Sequence, residues 1–280
     1  MCVIILSTSD TISEVIGIFL DCAVTKNNSL RTNVYHITYS REYGVCCLFF
    51  WGCNLSCRPC LLKKEAFDCH LPETRFRIYD HGYKSKRPDR FLSLHQLHEL
   101  LNPLPLKQIV LMGAEPMCDP LLPVILDSLK KSKSCSFLLL TNGKTLPPLT
   151  LLDEIIFSIK AVTPSLHQDY TNDDNEVILK NFIEIASHKF LLLHTETVFI
   201  PGYVDEEEIL RIAAFIASVD RSIPFRIDAY LPIQGLPWRV PTPEEIQALA
   251  YRTKQVLPNT TCFYGDKGKT ELAYEIERIF

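Results

Sequence analysis

The chain has 280 residues, of which 47% are hydrophobic and 22% are charged, and its formal net charge is −4. This composition excludes a disordered or fibrous protein, and the lack of a basic excess argues against a nucleic-acid-binding protein. A chain of this size buries roughly 75% of the surface that its unfolded state exposes, so it does not need its 11 cysteines as disulfides.

The first 40 residues are expected to form an N-terminal extension. They contain a helix candidate at 11–23 and an extended segment at 34–39. The apolar runs at 3–6 and 15–20 are far shorter than the about 20 residues of a membrane span, and no positively charged segment precedes them. We therefore expect a cytoplasmic protein with reduced thiols, no secretion signal and no association with membranes.

From about residue 45, apolar strand patterns alternate with helical patterns. Six strands are predicted, at 45–50, 108–112, 136–141, 154–159, 190–199 and 225–230. Helix starts are predicted at Ser93, at the acidic run 205–208 and at Thr242, where an N-cap residue precedes Pro243 and a capping-box Glu245. Cys46 and Cys47 are expected to lie on opposite faces of the first strand, because side chains alternate along a strand.

Strands joined by helices pair in parallel, and their continuous apolar character fits burial on both faces. The pattern therefore predicts an α/β fold, a partial (β/α)6 TIM-like barrel that forms a single domain. We place this barrel at 41–260, followed by a C-terminal segment at 261–280. Chemistry is expected at the carboxyl-terminal ends of its strands.

Residues 61–92 do not fit the alternation. They hold eight basic and five acidic residues in a chain that is acidic overall. The segment is interpreted as a solvated loop, with a substrate-facing lid as the alternative.

Three cysteines follow the first core strand with the spacing CxxxCxxC, at Cys53, Cys57 and Cys60. Thiolates on such a loop suit an iron–sulfur cluster or zinc. Zinc would require a fourth ligand, for which Cys69 or His70 is available, whereas a cluster can leave one iron open for an exogenous ligand.

Four further stretches follow in order, each near the end of a predicted strand. They are Gly113-Ala114-Glu115-Pro116, Thr141-Asn142-Gly143, the segment 153–171 and the segment 198–205. With the cysteine motif, they resemble the radical S-adenosylmethionine (SAM) enzymes, and the last two resemble the pyruvate formate-lyase activating enzymes. The resemblance covers about residues 45–258.

The resemblance implies a [4Fe–4S] cluster bound by Cys53, Cys57 and Cys60, with SAM chelating the fourth iron. Reductive cleavage of SAM would then give a 5′-deoxyadenosyl radical that abstracts hydrogen from the substrate. Backbone groups at 113–116 would bind the SAM ammonium group, and Lys160 would pair with its carboxylate. The residues implied in SAM binding are Gly113, Ala114, Glu115, Asn142, Ser158 and Lys160.

The chain also departs from the family pattern. Pro59 replaces the usual aromatic residue before the third cysteine, Ala114 replaces a glycine, and Ser158 replaces an aspartate that is common in the activating enzymes.

The resemblance implies an anaerobic or well-reduced cell interior and an electron donor such as flavodoxin or ferredoxin. Two substrate classes compete: a backbone glycine of a glycyl-radical enzyme, and a small molecule or another peptide. A non-catalytic zinc- or cluster-binding protein is the alternative of another class.

Overall fold

The computed structural model describes residues 30–74, 77, 83–265 and 275–280. The helix expected at 11–23 lies outside the described residues. The strands are β1 (Val34–Ser40), β2 (Val45–Phe50), β3 (Gln108–Gly113), β4 (Ser136–Thr141), β5 (Glu154–Ser158), β6 (Leu192–Phe199), β7 (Phe225–Ala229), β8 (Thr260–Phe263) and β9 (Glu277–Arg278). The α-helices are α1 (Leu94–Leu101), α2 (Leu122–Ser132), α3 (Pro164–Thr171), α4 (Glu176–Ser187), α5 (Glu206–Val219) and α6 (Pro243–Thr253).

The strands form one sheet in the order β8-β7-β6-β5-β4-β3-β2-β1-β9. Neighbours from β2 to β8 pair in parallel, whereas β1 pairs antiparallel with both β2 and β9. In the described part of the chain the two edges of this sheet, β8 and β9, are not paired with each other. The predicted α/β class and open partial barrel are confirmed.

The six strands predicted from the alternation correspond to β2 to β7, and the extended segment at 34–39 corresponds to β1. β8 adds a further parallel strand after α6, and β9 adds a second antiparallel partner for β1. The edge strands are short: β8 has four residues and β9 has two.

Three helices begin at the N-cap residues that the sequence predicts. The side chain of Ser93 accepts a hydrogen bond from the Gln96 N–H, and that of Thr242 accepts one from the Glu245 N–H, each within a complete capping box. Asp205 caps α5, which carries three glutamates in its first turn. These carboxylates are favourable there because the N-terminus of a helix carries a partial positive charge.

The two faces of β2 contribute to different apolar clusters. Cys46, Leu48 and Phe50 are fully buried in the main core between sheet and helices. Cys47 and Phe49 point to the other face, where they pack with Tyr35, Trp51 and Phe67. The predicted opposite orientation of Cys46 and Cys47 is therefore confirmed.

The described residues include no helix long and apolar enough to cross a membrane.

Two glycines permit tight turns at strand ends. Gly113 ends β3 with φ +104°, and a Cβ there would lie 2.7 Å from the Phe50 carbonyl oxygen. Gly143 follows β4 with φ +74°, and a Cβ there would overlap the Phe157 ring. Both positions require glycine, because other residues rarely adopt a positive φ and because no space remains for a side chain.

Gly143→Ala is therefore expected to destabilise the fold. We expect the free energy of unfolding to fall by about 1 kcal/mol for the positive φ and by a further 1–3 kcal/mol, roughly, for the steric overlap. Gly202→Ala is the matched control, because Gly202 also has a positive φ but, apart from its two chain neighbours, no described residue has an atom within 4 Å of the position that a Cβ would occupy. Urea denaturation measures both variants, and equal losses would contradict the steric explanation.

Candidate active site

A cavity of about 510 Å³ lies at the carboxyl-terminal ends of the parallel strands. Eight of the nine residues predicted from the sequence line it; they are Cys53, Cys57, Cys60, Gly113, Ala114, Asn142, Ser158 and Lys160. Met112, Leu140 and Val198 add apolar surface, and Tyr170 and Glu196 complete the walls with polar groups. The motifs are thus brought together from four different strands and the loop after β2.

Backbone hydrogen bonds hold the cysteine loop in place. The loop begins at Trp51, whose N–H donates to the Asn33 carbonyl at 2.9 Å. The N–H groups of Ser56 and Arg58 donate to the last two residues of α3, Thr171 and Tyr170. The loop is therefore anchored to the segment that leads into β1 at one end and to α3 at the other.

Burial affects the ionisation of the thiols. It raises the pKa of Cys57 to about 11 and raises that of Cys53, while the nearby Lys160 ammonium opposes both increases. Metal binding displaces thiol protons, so thiolates at these positions depend on a bound metal at neutral pH.

Glu115 is the predicted site residue that does not line the cavity. Its side chain is 1% exposed and accepts hydrogen bonds from the N–H of Asn142 at 2.7 Å, the Thr141 hydroxyl at 3.0 Å and the N–H of Met117 at 3.1 Å. Burial raises the pKa of this carboxyl, and the three donors oppose the increase. Glu115 therefore joins the end of β3 to the turn after β4.

Asn142, in that turn, contacts the cysteine loop directly. Its side-chain amide donates to Asn54 Oδ1 at 2.8 Å and approaches Cys53 Sγ at 3.6 Å. Lys144 donates to the Asn54 carbonyl oxygen and forms an ion pair with Asp173. The cysteine loop and the β4 turn thus form one hydrogen-bonded unit.

Lys160 follows β5, and its Nζ donates to the Ser158 hydroxyl at 2.5 Å. Glu196, which belongs to none of the motifs, lies beside Ser158 in the sheet register and also lines the cavity. Burial raises the pKa of its carboxyl most, and the Asp228 charge raises it further. The Arg226 guanidinium lowers it. The sequence gives little signal for it, because β6 also contains the polar residues His194, Thr195 and Thr197.

Cys69 and His70 do not line the cavity. With Asp68 they form a separate group whose ligand atoms all lie within 4.8 Å of one another. Asp68 Oδ1 accepts hydrogen bonds from the backbone N–H and Nδ1 of His70, and Oδ2 accepts one from Thr38. The group is a local turn, and neither residue is placed to complete a site with Cys53, Cys57 and Cys60.

Glu115→Gln is expected to lower the free energy of unfolding by about 2 kcal/mol, because an amide NH2 would replace an acceptor that faces N–H or O–H donors. Urea denaturation measures the change. Glu184→Gln is the control, since Glu184 is exposed and its carboxylate pairs with His188 alone among the described residues; a surface change of this kind usually stays within about 0.5 kcal/mol. Equal stability of the two variants would contradict the bracing role of Glu115.

No family model matches the chain. A protein of Methanocaldococcus jannaschii, provisionally named a glycyl-radical enzyme activating enzyme, is 27% identical over 204 residues, which cover 71% of each chain.

Solved structures share the fold at low sequence identity. SuiB of Streptococcus suis, in a structure bound to S-adenosylmethionine, has a TM-score of 0.56 at 13% identity; the match covers 76% of this chain and 48% of SuiB. A radical SAM methyltransferase of Sphaerobacter thermophilus has a TM-score of 0.53 at 13% identity, with 82% of this chain and 70% of that chain covered. The chain is thus similar in sequence to a protein provisionally named a glycyl-radical enzyme activating enzyme, and it shares its fold with SuiB and with a radical SAM methyltransferase.

Proposed function

We propose that this chain is a radical SAM enzyme. Cys53, Cys57 and Cys60 hold a [4Fe–4S] cluster, and the enzyme reductively cleaves S-adenosylmethionine to abstract hydrogen from its substrate. The observation that carries the proposal is the convergence of three thiols with Lys160 and Asn142 in one cavity of about 510 Å³.

The donor set fits an iron–sulfur cluster better than zinc. Three thiols line the cavity, and among the described lining residues there is no fourth thiol and no imidazole. Structural zinc sites normally have four protein ligands, and catalytic zinc sites with three cysteines are not the usual pattern. A [4Fe–4S] cluster held by Cys53, Cys57 and Cys60 would have one iron without a protein ligand, which the amino and carboxylate groups of SAM could bind.

The other residues act on SAM by position and charge. Lys160 supplies the cation for the methionine carboxylate, and the Ser158 hydroxyl fixes the orientation of the lysine. Gly113 and Ala114 expose backbone at the cavity wall because their side chains are small. When bound and reduced, the cluster supplies the electron that breaks a carbon–sulfur bond of SAM.

The substrate we propose is a glycine of a protein partner, as in activation of a glycyl-radical enzyme. The name of the Methanocaldococcus jannaschii relative supports this class. The enzyme would require a one-electron donor such as flavodoxin or ferredoxin and a reduced cytoplasmic setting. A small molecule or a peptide as substrate is the alternative within the same chemistry.

Replacing Cys53, Cys57 and Cys60 together by alanine is expected to abolish iron and sulfide binding and the formation of 5′-deoxyadenosine. The measurement is anaerobic reconstitution, with iron and sulfide counted and 5′-deoxyadenosine followed by chromatography. The control is Cys262→Ala, which changes a thiol on β8 outside the cavity. If the triple variant still cleaved SAM, the proposed function would be wrong.

Lys160→Ala is expected to weaken SAM binding by about tenfold or more, because a charge-assisted hydrogen bond to the carboxylate is lost. The iron and sulfide content is expected to stay unchanged. Equilibrium binding of SAM to the reconstituted protein measures the effect. Lys180→Ala, an exposed change on α4, is the control, and an unchanged affinity of Lys160→Ala would remove this lysine from the SAM site.

A further inference from the structure

A row of polar and charged side chains crosses three strands beside the cavity. Lys160 Nζ donates to the Ser158 hydroxyl at 2.5 Å. Ser158 lies opposite Glu196 in the register of β5 and β6, and both residues line the cavity. Arg226 Nη2 in turn lies 2.7 Å from Glu196 Oε2.

The sheet register explains why these side chains meet. Ser158 on β5 pairs with Glu196 on β6, and Glu196 pairs with Arg226 on β7. Side chains directly opposite each other in neighbouring strands lie within contact distance on the same face. The row therefore follows from the backbone pairing and does not depend on a flexible loop.

The Ser158 hydroxyl couples the position of the Lys160 ammonium group to that of Glu196. A hydroxyl has one proton, and the lysine ammonium can only donate, so Ser158 must accept from Lys160 and direct its own proton elsewhere. The Glu196 carboxylate lies opposite Ser158 in the sheet register and offers an acceptor for that proton. The carboxylate thereby fixes which side of the serine oxygen faces the lysine.

Glu196 does more than neutralise Arg226. Asp228 already binds this guanidinium in bidentate fashion, with Nε–Oδ1 at 2.6 Å and Nη2–Oδ2 at 2.9 Å. Glu196 lines the cavity that contains Lys160 and Ser158. Its burial raises the pKa of its carboxyl, and Arg226, Lys160 and the Ser158 hydroxyl favour the charged form.

We propose that Glu196 is a positioning residue that acts through Ser158 to hold the Lys160 ammonium group at the site of the SAM carboxylate. This inference rests on the proposed function. The activating enzymes often have an aspartate at the position of Ser158. In this chain the corresponding negative charge is assigned to Glu196 on β6. The carboxylate therefore lies on the strand next to Ser158, and the Ser158 side chain stands between it and Lys160 in the row.

The first measurement needs neither cluster nor SAM. The rate at which acetic anhydride acetylates Lys160 is followed by peptide mass spectrometry in the wild type and in Glu196→Gln. We expect Lys160 to react several-fold faster in the variant, because the lysine loses both its fixed position and a nearby negative charge. Ser158→Ala removes the hydroxyl between the two charged groups and leaves the Glu196–Arg226 pair in place. It is expected to give a smaller increase, because the lysine loses its fixed position but keeps the nearby negative charge.

The second measurement is SAM affinity in the reconstituted protein. We expect Glu196→Gln to weaken binding about tenfold, as for loss of a charge-assisted contact. The double variant Ser158→Asp/Glu196→Gln places the carboxylate on β5, next to Lys160, and is expected to restore both the slow acetylation and the affinity. A purely structural role for Glu196 would not be rescued in this way.

Glu154→Gln is the matched control. Glu154 lies on β5 with a side chain 22% exposed, close to the 19% of Glu196, and it pairs with His194 at 3.3 Å. It does not line the cavity, so acetylation of Lys160 and affinity for SAM are expected to stay at wild-type values.

The inference is overturned if Glu196→Gln leaves acetylation of Lys160 unchanged, or if the double variant behaves like Glu196→Gln alone. A different set of results is expected if the proposed function itself is wrong. The wild-type protein would then neither bind nor cleave SAM, while the acetylation rates would still report whether Glu196 positions the lysine.

Discussion

The parallel register of β2 to β6 is the constraint on which the site depends. Its backbone hydrogen bonds bring the carboxyl-terminal ends of these strands to one edge of the sheet, so that residues as far apart in sequence as Cys53 and Glu196 line one cavity. The cysteine loop itself has no regular secondary structure and takes its shape from bonds to the start of β1, to α3 and to the turn after β4. A one-residue slip of any strand would move its side chains to the opposite face and dismantle the site.

Buried charge is the second organising feature. Glu115 is enclosed behind the cavity and accepts hydrogen bonds from protein donors. Lys160 and Glu196 line the cavity, and Ser158 is hydrogen-bonded to the lysine and lies opposite Glu196 in the register. Burying such groups is unfavourable unless they are paired and hydrogen-bonded, so each carboxylate here has defined donors. The two glutamates thus serve different ends: one braces the turns that carry the motifs, and the other sets the orientation of a cation inside the site.

The sequence was sufficient for the elements that local patterns specify. The six central strands, the capped helix starts at Ser93, Asp205 and Thr242 and the opposite orientation of Cys46 and Cys47 all follow from periodicity and capping chemistry. β8 and β9 were not predicted, because strands of four and two residues carry too little pattern and depend on their partners. The direction of the Glu115 side chain and the place of Glu196 depend on contacts between strands distant in sequence, which no local pattern encodes.

The central claim is that three thiolates hold a cluster with one iron open to SAM. Electron paramagnetic resonance of the anaerobically reconstituted, reduced wild-type protein, recorded before and after addition of SAM, tests it most directly. We expect the signal of a reduced [4Fe–4S] cluster, whose g values shift when SAM binds to the open iron. A protein that retains stoichiometric zinc and gives no such signal, or a cluster signal that SAM leaves unchanged, would contradict the claim.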